Sequence, residues 1–239
     1  MAVSPDLRIE VSGEAPPVPP ALEPAIAAAW EAAQRRAGGR LFNGRVFSVE
    51  SAEPHLLRGH LAEYRLVVAG FADPALAARL GLRPLAVCGV LRTPDGVLFG
   101  RRTPRATYEP GLWQMPPAGS VDASAVREGR VDPLAQIRTE FEEELALPWG
   151  VVRRARPFAL VRAGSTGVHD LGIVLETEAR FATILARQRH ARTVEYTALR
   201  VVPEAALPAF CAAEGRAMVP AAPLFLAALG LLPGAGVPQ

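Results

Sequence analysis

Three glutamates near the middle of the chain, Glu140, Glu143 and Glu144, are spaced so that any helix containing them carries all three on one face. Like charges at this spacing repel each other by roughly 0.2–0.5 kcal/mol per pair. Mg²⁺ and Mn²⁺ prefer carboxylate and water oxygens, so a bound cation would turn that repulsion into attraction. The stretch is therefore either a solvated acidic helix end or part of a metal site.

The residues around this stretch predict where the helix begins and ends. Asp132 is a good N-cap and Pro133 is well suited to the first helical position, while Pro148 prevents much continuation, so we expect a helix from Pro133 to Leu145. Two β-rich runs upstream, 85–91 and 97–99, are joined by the turn Thr93-Pro94-Asp95-Gly96 and predict a hairpin.

The other apolar runs predict further elements on both sides of this centre. We expect helices at 22–36 and 73–80 and a helical C-terminal part. The expected strands are 46–49, 64–68, 158–162, 171–177 and 196–202.

Composition excludes several classes of function. The 239 residues carry a formal net charge of +2, and all 26 basic residues counted as Lys or Arg are arginines, scattered without an aromatic-interleaved basic block. This distribution does not favour nucleic-acid binding, although arginine suits phosphate recognition. Cys88 and Cys211 lie far apart in apolar segments, which predicts a reducing, cytoplasmic location. We see no signal peptide, and the apolar C-terminal stretch is too short and too interrupted by proline to span a membrane.

The acidic stretch and the loop before it together resemble the signature of the Nudix hydrolases. Glu140, Glu143 and Glu144 fall on signature glutamates, and Phe141 and Leu147 fall on apolar positions. The upstream segments Pro110-Gly111-Leu112-Trp113 and Pro117-Ala118-Gly119 resemble the loop and strand that precede the signature in that family.

The resemblance has four departures. Thr139 stands at the arginine position, Ala146 at a glycine position and Val131 at the position of an early glutamate, and residues 120–130 are a longer loop than the signature has. These departures leave the three carboxylates in place, but they affect the groups that would orient them.

Segments 41–44, 145–148 and 194–197 are similar to Nudix enzymes that hydrolyse UDP-glucose and UDP-galactose. This resemblance implies an α/β protein with a Nudix fold, in which helices sandwich a mixed β-sheet. It also implies two parts, a small N-terminal α+β module at 1–82 and a Nudix domain with a C-terminal helix at 83–239.

The resemblance also implies a metal site and a catalytic role for its carboxylates. Glu140, Glu143 and Glu144, with the backbone carbonyl of Ala118, would bind Mg²⁺ or Mn²⁺. Glu143 and Glu144 would also be catalytic, together with Glu195 at the start of a later strand; alternatively, Glu195 is a solvated partner of Arg192.

Two neighbouring arginines are the candidates for substrate binding. Arg101 and Arg102 would bind phosphates, although side chains alternate along a strand, so that only one can face the site.

The leading hypothesis is metal-dependent hydrolysis of a nucleoside diphosphate linked to a sugar, with a UDP-sugar favoured. ADP-ribose or a NAD-like dinucleotide is the alternative substrate. A catalytically weak nucleotide-binding module and an acidic-helix interaction protein are alternatives of other classes. The expected partner is a small nucleotide, not a nucleic acid or a membrane, and the sequence leaves the oligomeric state open.

Overall fold

The computed structural model describes residues 1–164 and 166–232, which form two mixed β-sheets and seven α-helices. The strands are β1 (Arg8–Glu14), β2 (Arg45–Glu53), β3 (Leu56–Glu63), β4 (Leu85–Thr93), β5 (Gly96–Arg102), β6 (Trp113–Gln114), β7 (Ala118–Ser120), β8 (Val126–Arg127), β9 (Arg130–Val131), β10 (Val152–Arg162), β11 (His169–Thr177) and β12 (Tyr196–Val202). The helices are α1 (Glu23–Arg36), α2 (Tyr64–Ala72), α3 (Pro74–Leu80), α4 (Pro133–Leu145), α5 (Phe181–Gln188), α6 (Leu207–Glu214) and α7 (Ala221–Ala228). The predicted α/β class is confirmed.

The larger sheet has the order β10-β11-β4-β5-β12, with β7 paired to β4 and β6 to β5. Strand β11 runs parallel to β4, and the other pairs are antiparallel. Side chains alternate between the two faces. Leu85 and Val87 pack in one core with Phe141 of α4, while Val90 packs in another with Phe225 of α7. The sheet therefore lies between helices, as predicted.

The smaller sheet has the order β2-β3-β1-β9-β8. Its last two strands come from the end of the segment predicted as an inserted loop, and Ile9 of β1 pairs with Val131 of β9. Ile9 and Phe47 also share a core with Ile137 and Phe141 of α4. The first 82 residues thus have a sheet and core completed by later residues, and the division into 1–82 and 83–239 stays a prediction, with 233–239 outside the described residues.

One predicted element is wrong in type. The run 64–68 was expected to be a strand, but it begins helix α2, in which Leu66, Val67, Val68 and Ala69 are buried. Leu66 and Ala69 pack in a small separate core with Ile26 of α1 and Leu76 of α3. A short apolar run is compatible with a strand or a buried helix, and here packing between helices decides.

The predicted hairpin and the helix 133–145 are confirmed, as are the helix ending at Leu80 and the strand 196–202. None of the helices in the described part of the chain combines the length and the apolarity that crossing a bilayer requires.

Candidate functional site

Helix α4 carries the acidic residues, and its ends explain its position. The Asp132 carboxylate accepts hydrogen bonds from the backbone N–H groups of Leu134 (2.9 Å) and Ala135 (3.1 Å), which caps the first turn. At the other end Ala146 adopts a left-handed conformation with φ 53°. The helix therefore spans the predicted residues and presents the three glutamates on one side.

Glu144 is the most buried of these glutamates, with 3% of its surface exposed. Its Oε2 accepts a hydrogen bond from the Tyr196 hydroxyl at 3.0 Å and a longer one from the Ala118 backbone N–H at 3.3 Å. Burial raises the pKa of Glu144 well above its usual range, and the charges of Glu140 and Glu195 raise it further. A negative charge here is costly until a cation compensates it.

Glu140 lies one turn earlier and is half-buried. Its Oε1 accepts a hydrogen bond from the Gln136 side chain at 2.8 Å. Burial raises the pKa of Glu140 to about 7, although the hydrogen bond from Gln136 lowers it. The negative charges of Glu143, Glu195 and Asp122 add to the rise. Strand β7 approaches so closely that a Cβ at Gly119 would overlap the Glu140 carboxylate.

Both carboxylates face a cleft of about 840 Å³. We call Glu140, Glu144 and Glu195 the acidic wall of this cleft. Arginines and aromatic residues from other parts of the chain line the cleft too, and we call them the basic–aromatic wall: Arg40, Arg102, Arg105, Tyr64, Phe71 and Tyr108. Carboxylates that repel each other thus share one cavity with arginines and aromatic rings.

Glu143 and Glu195 occupy different positions relative to the cleft. Glu143 is half-buried and close enough to affect Glu140, but it does not line the cleft. Glu195 lines the cleft, and its side chain forms no ion pair with Arg192, although both residues lie in the described part of the chain. The catalytic roles of Glu143 and Glu195 remain predictions.

Arg102 lines the cleft and Arg101 does not, as strand alternation predicts. The Arg102 guanidinium donates to the Tyr108 carbonyl at 2.9 Å and to the Gln114 side chain. Arg101 is exposed, donates to the Gly111 carbonyl at 3.1 Å and lies 5.8 Å from the centre of the Trp113 ring. Of the two, only Arg102 is placed to meet a phosphate in the cleft.

The donor atoms on the acidic wall suit a hard divalent cation. In strand β7, Gly119 lies opposite Val87 of β4. The Ala118 N–H points away from β4 and donates to Glu144. The N–H and C=O of one strand residue face the same side, so the Ala118 carbonyl also faces the acidic wall. Among the described residues no three His, Cys, Asp or Glu side chains form a ready metal cluster. Mg²⁺ commonly binds through one or two carboxylates, with water or substrate phosphates completing its shell, so the residues present fit this ion.

Several residues of the site were missed from the sequence. Gln136 lies one turn before Glu140, and the spacing of four residues on a helix could have identified it. Tyr196 follows Glu195, but only the tertiary fold brings its hydroxyl to Glu144. Asp170 and Tyr64 reach the cleft from two distant parts of the chain, and no local pattern indicates that.

No family model and no curated protein sequence matches the chain. Among solved structures, DR0079 from Deinococcus radiodurans is 20% identical, with 77% of this chain and 98% of that protein covered and a TM-score of 0.49. RenU, a Nudix hydrolase from M. smegmatis, is 23% identical, with 56% and 83% covered and a TM-score of 0.37.

A bifunctional NMN adenylyltransferase/ADP ribose pyrophosphatase from Francisella tularensis, complexed with AMP and a Mn ion, is 15% identical to this chain. The alignment covers 68% of this chain and 47% of that protein, with a TM-score of 0.43. This chain therefore spans about half the length of the bifunctional protein.

Proposed function

We propose that the chain is a Nudix-type pyrophosphatase that hydrolyses, with a divalent metal, the diphosphate of a nucleoside diphosphate linked to a sugar. The observation that carries the proposal is the cleft itself, in which Glu140 and Glu144 share one cavity with Arg102. A diphosphate needs its negative charge neutralised before water can attack phosphorus. Arg102 would contribute to that directly, and the acidic wall through the divalent ion that it would hold.

Glu140, Glu144 and the Ala118 carbonyl are the proposed ligands of Mg²⁺ or Mn²⁺, with Glu143 beside them. A bound divalent ion would neutralise phosphate charge and lower the pKa of a bound water. Arg102 would bind a phosphate oxygen through its guanidinium, and Glu195 would accept a proton at the entrance to the acidic wall. Glu143 would act through its charge on Glu140, because it does not line the cleft.

The sequence resemblance favours a UDP-sugar, and ADP-ribose is the other candidate. Incubation of the protein with UDP-glucose, ADP-ribose and NAD in the presence of Mg²⁺, followed by chromatography, separates them. We expect UMP from UDP-glucose or AMP from ADP-ribose, and none of either product with EDTA. AMP without UMP would refute the UDP-sugar preference, and no product from any substrate would refute the pyrophosphatase proposal for these substrates.

A nucleotide-binding module with weak turnover is the second candidate, and the surroundings of position 139 favour it. The Thr139 hydroxyl donates to the Ala135 carbonyl of its own helix at 3.2 Å, and Arg138 pairs with Glu142 at 3.2 Å. Neither residue orients the acidic wall as the family's arginine would. This candidate predicts nucleotide binding with no metal-dependent product.

A further inference from the structure

Asp170 is a buried carboxylate in the cleft, beyond the acidic wall. It lies on β11, where it pairs with Ala86 of β4, and only 3% of its surface is exposed. It also lines a small adjoining pocket together with Met115, Val219 and Phe225. An apolar environment of this kind strengthens any hydrogen bond that the carboxylate makes.

The two oxygens of Asp170 differ in their partners. Oδ1 accepts a weak hydrogen bond from the Cys88 thiol at 3.4 Å, whereas Oδ2 is buried and accepts no hydrogen bond from the described residues. Arg102 is close enough to favour the charged form of Asp170, but its guanidinium donates to Tyr108 and Gln114. Burial raises the pKa of Asp170 to about 6.

An unpaired buried carboxylate oxygen costs on the order of 1–3 kcal/mol or more, so it calls for an explanation. Residues 1–164 and 166–232 give none, since within them Asp170 caps no helix and forms no ion pair. Its one feature besides burial is that it lines the cleft. A ligand in the cleft that donates a hydrogen bond to Oδ2 would remove the cost.

We propose that Asp170 is a specificity residue that accepts a hydrogen bond, through Oδ2, from an N–H or O–H group of the moiety attached to the diphosphate. The assignment rests on the proposed function and deepens it. The donor is an N–H of the base or a hydroxyl of a sugar, and the two sources give different results below.

The position of Asp170 relative to the acidic wall supports this assignment. Ala118 of β7, Cys88 of β4 and Gly172 of β11 lie side by side in register, so β7 and β11 are two strand spacings apart, about 10 Å. Glu144 is bonded to Ala118, and Asp170 is two residues along β11 from Gly172. That separation leaves room for a group attached to the phosphates.

The test is the binding of UDP, UDP-glucose, AMP, IMP, 2′-deoxy-AMP, ADP and ADP-ribose by calorimetry, with wild type and Asp170→Asn and with Ca²⁺ in place of Mg²⁺. Asn has the shape of Asp but loses the charge, and a hydrogen bond to a charged group is worth about 1.5–3 kcal/mol, or roughly 10- to 150-fold in affinity. We expect Asp170→Asn to weaken only probes that carry the donor, by at least about 10-fold.

The set of probes whose affinity falls in Asp170→Asn identifies the source of the donor. Loss for AMP but not IMP indicates the base amine, and loss for AMP but not 2′-deoxy-AMP indicates the ribose. Loss for ADP-ribose but not ADP, or for UDP-glucose but not UDP, indicates the distal sugar. Equal changes for all seven probes, no change for any, or no binding of any to the wild type at millimolar concentration would overturn the proposal.

Two control variants separate recognition from folding. Asp132→Asn makes the same substitution outside the cleft and keeps a good N-cap, so probe selectivity should stay unchanged. Cys88→Ala removes the donor to Oδ1 but leaves Oδ2, so selectivity should also remain. Loss of selectivity in either control would contradict the role of Oδ2.

The test is independent of turnover. Asp170-dependent selectivity in a protein that never yields a nucleoside monophosphate would refute the proposed hydrolysis and leave the assignment of Asp170 standing. Metal-dependent hydrolysis with selectivity unaffected by Asp170→Asn would refute the assignment and leave the hydrolysis standing.

Discussion

The two walls of the cleft are built in different ways. Two of the three acidic side chains come from one capped helix, α4, and the third, Glu195, directly precedes β12. The residues of the basic–aromatic wall come from several parts of the chain. Arg40 follows α1, Tyr64 lies in α2, Arg102 lies at the end of β5, and Tyr108 lies in the loop after β5. A wall carried by one helix depends on local sequence signals, whereas a wall assembled from distant segments depends on tertiary packing.

The walls also differ in electrostatics. Burial and mutual repulsion raise the pKa values of Glu140 and Glu144, so the acidic wall is destabilised by its own charge. The Arg102 guanidinium of the basic–aromatic wall already donates hydrogen bonds within the protein. A bound cation would therefore stabilise the acidic wall, whereas the basic–aromatic wall already holds the Arg102 guanidinium in place for binding an anion.

The largest expected effect comes from neutralising the acidic wall. Glu144→Gln should reduce Mg²⁺-dependent hydrolysis by at least about 100-fold, because it removes a proposed metal ligand. The melting temperature should stay the same or rise, because a buried charge is removed. Product formation and thermal melts measure the two effects.

Glu142→Gln is the matched control on the same helix. Glu142 pairs with Arg138 and accepts a hydrogen bond from the Trp149 N–H at 3.1 Å, away from the cleft lining. Its activity should stay within about twofold of wild type. Equal loss in both variants would mean that the acidic wall has no special role.

The next effect separates the neighbouring arginines. Arg102→Ala should raise KM by about 10- to 100-fold, since a charge-assisted hydrogen bond to phosphate is worth about 1.5–3 kcal/mol, and Arg102→Lys should recover part of it. Arg101→Ala should change KM by less than about twofold, because Arg101 lies outside the cleft lining. Steady-state kinetics on a sugar-linked nucleoside diphosphate measures both, and equal effects would contradict the assignment of Arg102 alone to the cleft.

The pH dependence of stability tests the charge on the acidic wall. A pKa of about 7 for Glu140, above the usual 4.5, means that folding favours the protonated form. The free energy of unfolding therefore has its full contribution from protonated Glu140 below about pH 4.5. It falls by about 3 kcal/mol as the pH rises through 7.

Glu23, Glu50 and Glu63 have lowered pKa values, so they make the folded protein more stable as the pH rises. The contribution of Glu140 is therefore measured as the difference in stability between Glu140→Gln and wild type. The stability of Glu140→Gln relative to wild type should grow between pH 4.5 and 7, as measured by urea denaturation. Mg²⁺ should reduce this growth by stabilising wild type. A difference that is independent of pH would contradict the raised pKa.

The smallest expected effect concerns the end of α4. Ala146 has φ 53°, a conformation that glycine adopts at less cost. Ala146→Gly should stabilise the protein by up to about 1 kcal/mol, while Ala135→Gly, at an exposed position in the first turn of α4, should destabilise it by up to about 1 kcal/mol. Chemical denaturation measures both, and destabilisation by Ala146→Gly would show that the strain at the end of this wall is unimportant.

The same contrast explains what the sequence could predict. Asp132, Pro133 and the spacing of the apolar residues act within one helix, and α4 was predicted with its observed ends. The strand predicted at 64–68 is a helix because its burial against α1 and α3 is a tertiary effect. The segment 120–130 contributes to two short strands, of which β9 pairs with β1, and pairing with such a distant partner leaves no local pattern.

In the site, too, residues in local motifs could be predicted from the sequence, and residues brought in by tertiary packing could not. Glu140, Glu144, Glu195, Ala118 and Arg102 were named from local motifs, and all five line the cleft. Glu143 and Arg101 were named with them but do not line the cleft. Strand alternation accounts for Arg101, whereas the direction of the Glu143 side chain depends on packing as well as spacing. Tyr196 and Asp170 were not named, since their partners Glu144 and Cys88 are 52 and 82 residues away along the chain.

The most direct test of the acidic wall is a Mn²⁺ titration followed by electron paramagnetic resonance, which measures free Mn²⁺, on wild type, Glu142→Gln and Glu144→Gln at pH 8. We predict that wild type and Glu142→Gln bind Mn²⁺ with similar affinity and that Glu144→Gln binds it at least about 10-fold more weakly. Equal binding by all three proteins, or no binding by wild type, would contradict the account of this wall as a metal site.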